Sequence, residues 1–172
     1  MSIEPDTKDW TWVLDQPCDE CGADVRSFPR DDVGRMIRDN AASWQDVLAR
    51  PDARERRVPD RWSPLEYGCH VRDALVIYDG RLGLMLTEDG PLFENWDQDR
   101  TAIDDAYADQ DPAAVARELD AAAQALAARF DSVRDAAWDR PGERSDGASF
   151  TVETFARYFI HDPIHHLADV RG

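Results

Sequence analysis

Four segments of the sequence repeat apolar residues at the i, i+3, i+4 spacing of an amphipathic helix, and this repetition limits the possible folds most strongly. The segments span residues 31–50, 63–87, 112–140 and 152–170. In the first of them the repeating residues are Val33, Met36, Ile37, Ala41, Trp44, Val47 and Leu48. Four such helices joined by long connections predict an all-α fold, a four-helix bundle.

Residues that favour helix starts stand at the beginning of each segment. Ser63-Pro64-Leu65-Glu66 combines a capping box with proline at the first helical position, which predicts the start of the second helix. Asp111-Pro112 predicts the start of the third helix, which is expected to end before Pro141. Asp31 or Asp32 can cap the first helix, and Thr151 the fourth.

The length of 172 residues fits a single domain, residues 1–172. Residues 1–30 lack helical periodicity and predict an irregular N-terminal cap on a bundle formed by residues 31–172. The acidic connection 88–111 predicts a crossing over the bundle, because apolar side chains interrupt its charges. Those expected to pack on the bundle are Phe93, Trp96, Ile103 and Tyr107.

The net charge of −16 argues against nucleic-acid binding, which requires clustered Lys and Arg side chains. No apolar run is long enough to span a membrane, and the first residues do not resemble a secretory signal. A cytoplasmic monomer or homodimer that acts on small molecules is therefore expected.

Three of the four histidines lie within residues 161–166, inside the fourth predicted helix. His161 and His165 stand one helical turn apart, a spacing at which two imidazoles can hold one metal ion. His70 in the second helix is the candidate third ligand. Three ligands would leave a tetrahedral ion with one open position, as in catalytic metal sites. Pro163 interrupts the helix beside these residues and predicts a kink.

Other side chains near these histidines predict supporting roles. Glu66 and Asp73 lie about one turn from His70 and can orient its ring. His166 is rotated by about 100° from His165, so it is expected to support the site from behind the ligands. Two alternatives without a metal stay open. A histidine at a helix end can interact favourably with the helix dipole, and a histidine on an apolar face is usually a core residue.

Cys18-x-x-Cys21 has half the ligand spacing of a zinc ribbon, and the sequence contains no second C-x-x-C. Three cysteines, an odd number in a chain without a secretory signal, argue against a disulfide framework. We therefore expect two reduced thiols that do not bind the catalytic metal.

The chain resembles the DinB-like superfamily of metal-dependent four-helix bundles. The resemblance rests on WSPLEYGCHVRD, WDQDR and FTVETFARYFIHDPIHHLADV, and it spans most of the chain. It implies a divalent ion, zinc first and nickel or another metal as alternatives, held by His70, His161 and His165. Family members include thiol-dependent transferases and isomerases, and WTWVLDQPCDECG is similar to the start of actinobacterial members, which implies mycothiol as co-substrate.

The resulting hypothesis is a metal-dependent thiol S-transferase that joins mycothiol to an electrophilic small molecule, as in detoxification. The metal would favour the thiolate form of mycothiol. Arg144 and Ser145 precede the fourth helix and Tyr158 lies on the face of His161 and His165, so these three are candidates for substrate binding. The alternatives are a non-catalytic metal-binding stress-response bundle and a hydrolase that uses the same three histidines.

Overall fold

The computed structural model of the chain describes residue 3 and residues 9–171, and its architecture is mostly helical. Four long helices form the bundle, and a short helix, α3, lies in the connection between the second and third of them. The helices are α1 (Val33–Leu48), α2 (Pro64–Thr87), α3 (Gln98–Asp104), α4 (Pro112–Asp131) and α5 (Val152–Arg171). The predicted all-α bundle is thus confirmed in its helices, and α3 was not predicted.

Three helix starts follow the predicted chemistry, and at α5 the Thr154 N–H donates to Thr151 Oγ1 over 3.2 Å. At α2 the Ser63 N–H donates to Glu66 Oε2 over 2.8 Å, and the Glu66 N–H donates to Ser63 Oγ over 3.3 Å, which completes the capping box. At α4 the Ala114 N–H donates to Asp111 Oδ2 over 3.0 Å. Asp32 is the cap residue of α1, but its side chain makes no capping hydrogen bond.

The region after α4 differs from the prediction. The helix ends at Asp131 instead of continuing to residue 140, and a 3-10 helix (Asp135–Asp139) follows. The predicted loop before α5 is a hairpin of β2 (Pro141–Arg144) and β3 (Ser149–Thr151), and β1 (Leu92–Phe93) runs parallel to β2. Because β1 comes from the distant acidic connection, the sequence around the hairpin does not reveal this three-stranded sheet.

The acidic connection packs on the bundle through part of its apolar set. Phe93 and Tyr107 are buried and Trp96 is partly buried against the core. Ile103 is 73% exposed, so its predicted packing was wrong. It lies on α3, a short helix in which no residue is buried.

Among its described residues the N-terminal segment contains the 3-10 helices Trp10–Leu14 and Val25–Ser27, and it packs against α5. Val13, Cys18 and Val25 are buried, and Arg157 on α5 donates to the carbonyl oxygen of Val25 over 2.8 Å. Residues 1, 2 and 4–8 of the predicted cap lie outside the described residues. None of the helices among the described residues combines the length and the hydrophobicity that a membrane span requires.

Candidate metal centres

The first half of α2 places His70 in the interior of the bundle. The ring is 1% exposed. Trp96 from the acidic connection stacks on it almost in parallel, with ring centroids 5.3 Å apart, and Trp62 lies 5.4 Å away on centroids. These two indoles shield the imidazole from water and restrict its orientation.

Helix α5 carries two i, i+4 pairs that are offset by one residue. His161 and His165 form one pair, and Asp162 and His166 form the other. Because each residue advances about 100° around a helix, the two pairs face different neighbours. The first pair faces the N-terminal segment, and the second faces His70 on α2.

His70, Asp162 and His166 form the first cluster, which we call the cavity cluster. Their ligand atoms all lie within 4.8 Å of one another. His70 Nε2 and His166 Nε2 each lie 3.4 Å from Asp162 Oδ1. Two imidazoles and a carboxylate are one of the donor sets that hold catalytic zinc while leaving a position open.

Charges within the cavity cluster stabilise an ion pair in the metal-free chain. Burial alone would lower the pKa of His166, but Asp162 and Asp169 outweigh it and raise the pKa to about 9. Burial alone would raise the pKa of Asp162, yet His70 and His166 hold it well below its ordinary value. His166 Nδ1 also lies 3.0 Å from Asp169 Oδ2, which leaves Nε2 to face Asp162.

Unpaired polar atoms in the cavity cluster fit a bound cation. Asp162 Oδ2 and His70 Nδ1 are buried and have no hydrogen-bond partner among the described residues. A buried carboxylate oxygen without a partner costs free energy, and coordination of a divalent ion would offset that cost. The residues present are therefore suited to a divalent metal.

Cys18, Cys21, His161 and His165 form the second cluster, the cysteine cluster, and their ligand atoms also lie within 4.8 Å of one another. Burial and the neighbouring His165 lower the pKa of His161 to about 4, so its imidazole is neutral at pH 7. Burial raises the pKa of the Cys21 thiol to about 11. All three cysteines of the chain are free thiols.

A polar cavity of about 310 Å³ opens beside the cavity cluster. Its walls carry two guanidinium groups, Arg81 and Arg144, and the phenol of Tyr158. Arg144 Nη1 donates to Tyr158 Oη over 2.9 Å, and Asp146 holds the other side of the same guanidinium at 2.7 Å. Four carboxylates, those of Asp97, Asp99, Asp146 and Asp162, line it as well, so the cavity suits a polar ligand.

The structure divides the metal ligands predicted from the sequence between the two clusters. His161 and His165 stay together but join Cys18 and Cys21, whereas His70 joins Asp162 and His166. The reason is the helical offset, since the pair that faces α2 is residues 162 and 166. Asp162 was missed because only histidines were considered, although D-x-x-x-H has the same spacing as H-x-x-x-H.

The other predicted site residues have varied surroundings. Glu66 and Asp73 were expected to orient His70. Glu66 binds Arg56 and caps α2, and Asp73 accepts hydrogen bonds from Tyr107 and Arg72. The carboxylate beside His70 is that of Asp162. His166, expected behind the ligands, belongs to the cavity cluster. Arg144 and Tyr158 line the cavity, and Ser145 is exposed at the hairpin turn.

Comparison with known proteins gives a family match and a structural match. The family model described as the DinB superfamily matches residues 38–170. The solved structure of YfiT from Bacillus subtilis is similar, with a TM-score of 0.73, 16% sequence identity and 90% coverage of both chains. That protein is described as a probable metal-dependent hydrolase with an unusual four-helix bundle topology. No curated protein matches the chain significantly.

Proposed function

Because this chain belongs to the DinB superfamily, we propose that it is a metal-dependent enzyme whose catalytic ion is held by His70, Asp162 and His166. The observation that carries the proposal is the convergence of these three side chains at the wall of a polar cavity. The ion, when bound, would lower the pKa of a thiol or water that reaches its open position.

The cavity cluster is a better candidate for the catalytic ion than the ligand set predicted from the sequence. His161 and His165 have two cysteine sulfurs as neighbours, which would complete a four-ligand set and leave no position for a substrate. The cavity cluster offers three ligands, and all three line the cavity, whereas in the cysteine cluster His161 and His165 line it but the two cysteines do not. An ion there would keep an open position toward a bound molecule.

We further propose that the reaction is the transfer of a low-molecular-weight thiol, mycothiol, to an electrophilic small molecule. The similarity of WTWVLDQPCDECG to actinobacterial family members supports this choice of thiol. Arg144, held by Asp146 and Tyr158, would bind a polar group of the thiol or the electrophile. Asp169 would orient the His166 ring, and Trp62 and Trp96 would keep water away from His70.

A hydrolase is the second candidate. It is favoured by the similarity in fold to YfiT, which is described as a probable metal-dependent hydrolase. The same three ligands would serve both reactions, and the difference would lie in whether a thiol or a water occupies the open position.

Parallel assays distinguish these functions. The zinc-loaded protein is incubated with mycothiol and a chloronitroarene, and separately with an activated ester in the absence of thiol. We expect formation of the thioether conjugate. Ester hydrolysis without conjugate formation would replace the transferase by the hydrolase, and the absence of both activities would leave a non-catalytic metal-binding bundle.

The ligand set is tested with His166→Ala and Asp162→Asn. If His70, Asp162 and His166 hold the catalytic ion, each variant should lose that ion and about 100-fold or more of the activity, since even supporting residues typically contribute 10–100-fold. The set predicted from the sequence requires the opposite result for His166→Ala, namely full metal content. Metal content is measured by elemental analysis after dialysis.

A further inference from the structure

Two thiols from the N-terminal segment meet two imidazoles of α5 at the spacing of metal ligands. Cys18 Sγ lies 3.7 Å from His165 Nδ1, and Cys21 Sγ lies 3.6 Å from His161 Nε2. These contacts join residues 147 and 140 positions apart in the chain. Neither comparison with known proteins assigns a role to this group.

The two sulfur–nitrogen distances agree with tetrahedral zinc. Zinc binds sulfur at about 2.3 Å and imidazole nitrogen at about 2.0–2.1 Å, so neighbouring S and N ligands of a tetrahedral ion lie about 3.6 Å apart. Two independent thiol–imidazole hydrogen bonds could each have such a distance. They would not explain why all four ligand atoms lie within 4.8 Å of one another.

The turn that carries the cysteines is built to present both sulfurs to one point. Gly22 follows the second cysteine with φ of +75°, a conformation that side chains rarely adopt. The Gly22 N–H donates to the Cys18 carbonyl over 2.8 Å, and the Cys18 N–H donates to the Ala23 carbonyl over 2.9 Å.

The surroundings of His165 resemble those of a metal-bound histidine. Its Nδ1 faces Cys18, and its Nε2 lies 3.6 Å from Glu20 Oε2 and 3.8 Å from Asp169 Oδ2. Metal-bound imidazoles generally direct the second ring nitrogen to a carboxylate in this way. Trp10 covers both histidines, with ring centroids 5.4 Å from His161 and 4.9 Å from His165.

We propose that Cys18, Cys21, His161 and His165 bind one structural Zn²⁺, separate from the ion of the cavity cluster, and that this zinc fastens the N-terminal segment to α5. On binding, each thiol releases its proton to solvent and forms a sulfur–zinc bond, with no change of oxidation state. Two thiolates neutralise the charge of the ion, and four protein ligands close its coordination sphere.

Zinc stoichiometry tests this site independently of catalytic activity. The Cys18→Ser, Cys21→Ser double variant should contain one zinc fewer than the wild-type protein after dialysis, and Cys69→Ala, a change at the remaining buried thiol, should contain the wild-type amount. Equal zinc in the double variant and the wild type would overturn the proposal. Loss of the catalytic function alone would leave this difference unchanged.

Two further measurements cover the case in which the double variant fails to fold. In His70→Ala, whose cavity site should be empty, X-ray absorption at the zinc edge should show two sulfur ligands at about 2.3 Å and two nitrogen ligands at about 2.0–2.1 Å. In the wild-type protein, a mercurial reagent should release one zinc for every two thiols modified. A spectrum with only nitrogen and oxygen ligands, or a Cys18–Cys21 disulfide in protein purified under reducing conditions, would refute a zinc site.

Discussion

His165 and His166 are adjacent in sequence, yet their rings belong to different ligand clusters. The ring planes are inclined by 80°, with centroids 5.7 Å apart. His165 faces Cys18, and His166 faces Asp162. One turn of α5 therefore supplies side chains to two clusters of different chemistry, one with two thiols and two imidazoles, the other with two imidazoles and a carboxylate.

Asp169 is predicted to support the metal affinity of the cavity cluster. Burial alone would raise its pKa, but the hydrogen bond with His166 outweighs burial and lowers it, so the carboxylate is charged. Asp169→Asn should weaken metal binding at the cavity cluster by about 10–100-fold, because the His166 ring loses its charged partner. Competition against a chromophoric chelator measures the affinity.

The control for Asp169 is Glu153→Gln on the same helix. Glu153 pairs with Arg157 and Arg30 and contacts neither cluster through those bonds. Its variant should bind metal like the wild type. Equal affinities for the Asp169 and Glu153 variants would show that Asp169 does not position His166.

Glu66 is predicted to contribute to acid sensitivity of the fold. Burial raises its pKa, but hydrogen bonds from Arg56 and Ser63 outweigh burial and lower the pKa below the ordinary value of 4.5. A carboxyl group whose pKa is lower in the folded state stabilises the fold at pH values above its unfolded-state pKa. This contribution is lost as the pH falls through the folded-state pKa. Glu66→Gln should therefore cost about 1–3 kcal/mol at pH 7 and progressively less below about pH 4.5.

Urea denaturation at several pH values measures the Glu66 contribution. The control is Glu118→Gln, because Glu118 makes a more exposed ion pair with Arg72 and should change the free energy of unfolding by less than about 1 kcal/mol. A Glu66→Gln effect that stays constant from neutral to acid pH would rule out this linkage.

Gly34 is predicted to be required for the close packing of α1 on α4. A Cβ atom at Gly34 would overlap Asp131 Oδ1 and lie 3.0 Å from the backbone oxygen of Ala127. Asp131 can rotate away, but the backbone of Ala127 cannot, so Gly34→Ala should destabilise the protein by about 1–3 kcal/mol. Thermal unfolding provides the measurement.

Gly80 on α2 is the matched control for Gly34. A Cβ atom there would meet no atom within 4 Å. Gly80→Ala should stabilise the protein by about 0.5–1 kcal/mol, because alanine favours the helix. Two variants with the same sign would contradict the packing explanation.

Pro163 is predicted to increase metal affinity while it lowers the stability of α5. It lies inside α5 between the ligand positions, it is buried, and its carbonyl accepts a hydrogen bond from Asn40 Nδ2 over 3.0 Å. Proline inside a helix costs about 3 kcal/mol through the missing N–H and the steric clash. Pro163→Ala should leave the metal-free protein at least as stable and weaken metal affinity, measured by melts with and without chelator. Lower metal-free stability with unchanged affinity would identify a packing residue instead.

The helices were predictable because their signals are local. The Ser63 capping box and the i, i+4 spacing of the α5 ligands are read within a few residues of sequence. The division into two clusters was not predictable in this way, because Cys18 and Cys21 acquire their partners from α5 only through tertiary packing. The two imidazoles that contact the C-x-x-C thiols stand near the opposite end of the chain.

The contacts between residues 18–21 and residues 161–165 can form only after α5 has been synthesised. At roughly 5–20 residues per second, the ribosome takes on the order of 10 s to produce the stretch between Cys18 and His165. Helices α1, α2 and α4 can pack on one another within that interval, while the N-terminal segment still lacks its partner. Both clusters are therefore assembled last, and a chain that ends before residue 161 would contain α1, α2 and α4 but lack the α5 members of both clusters.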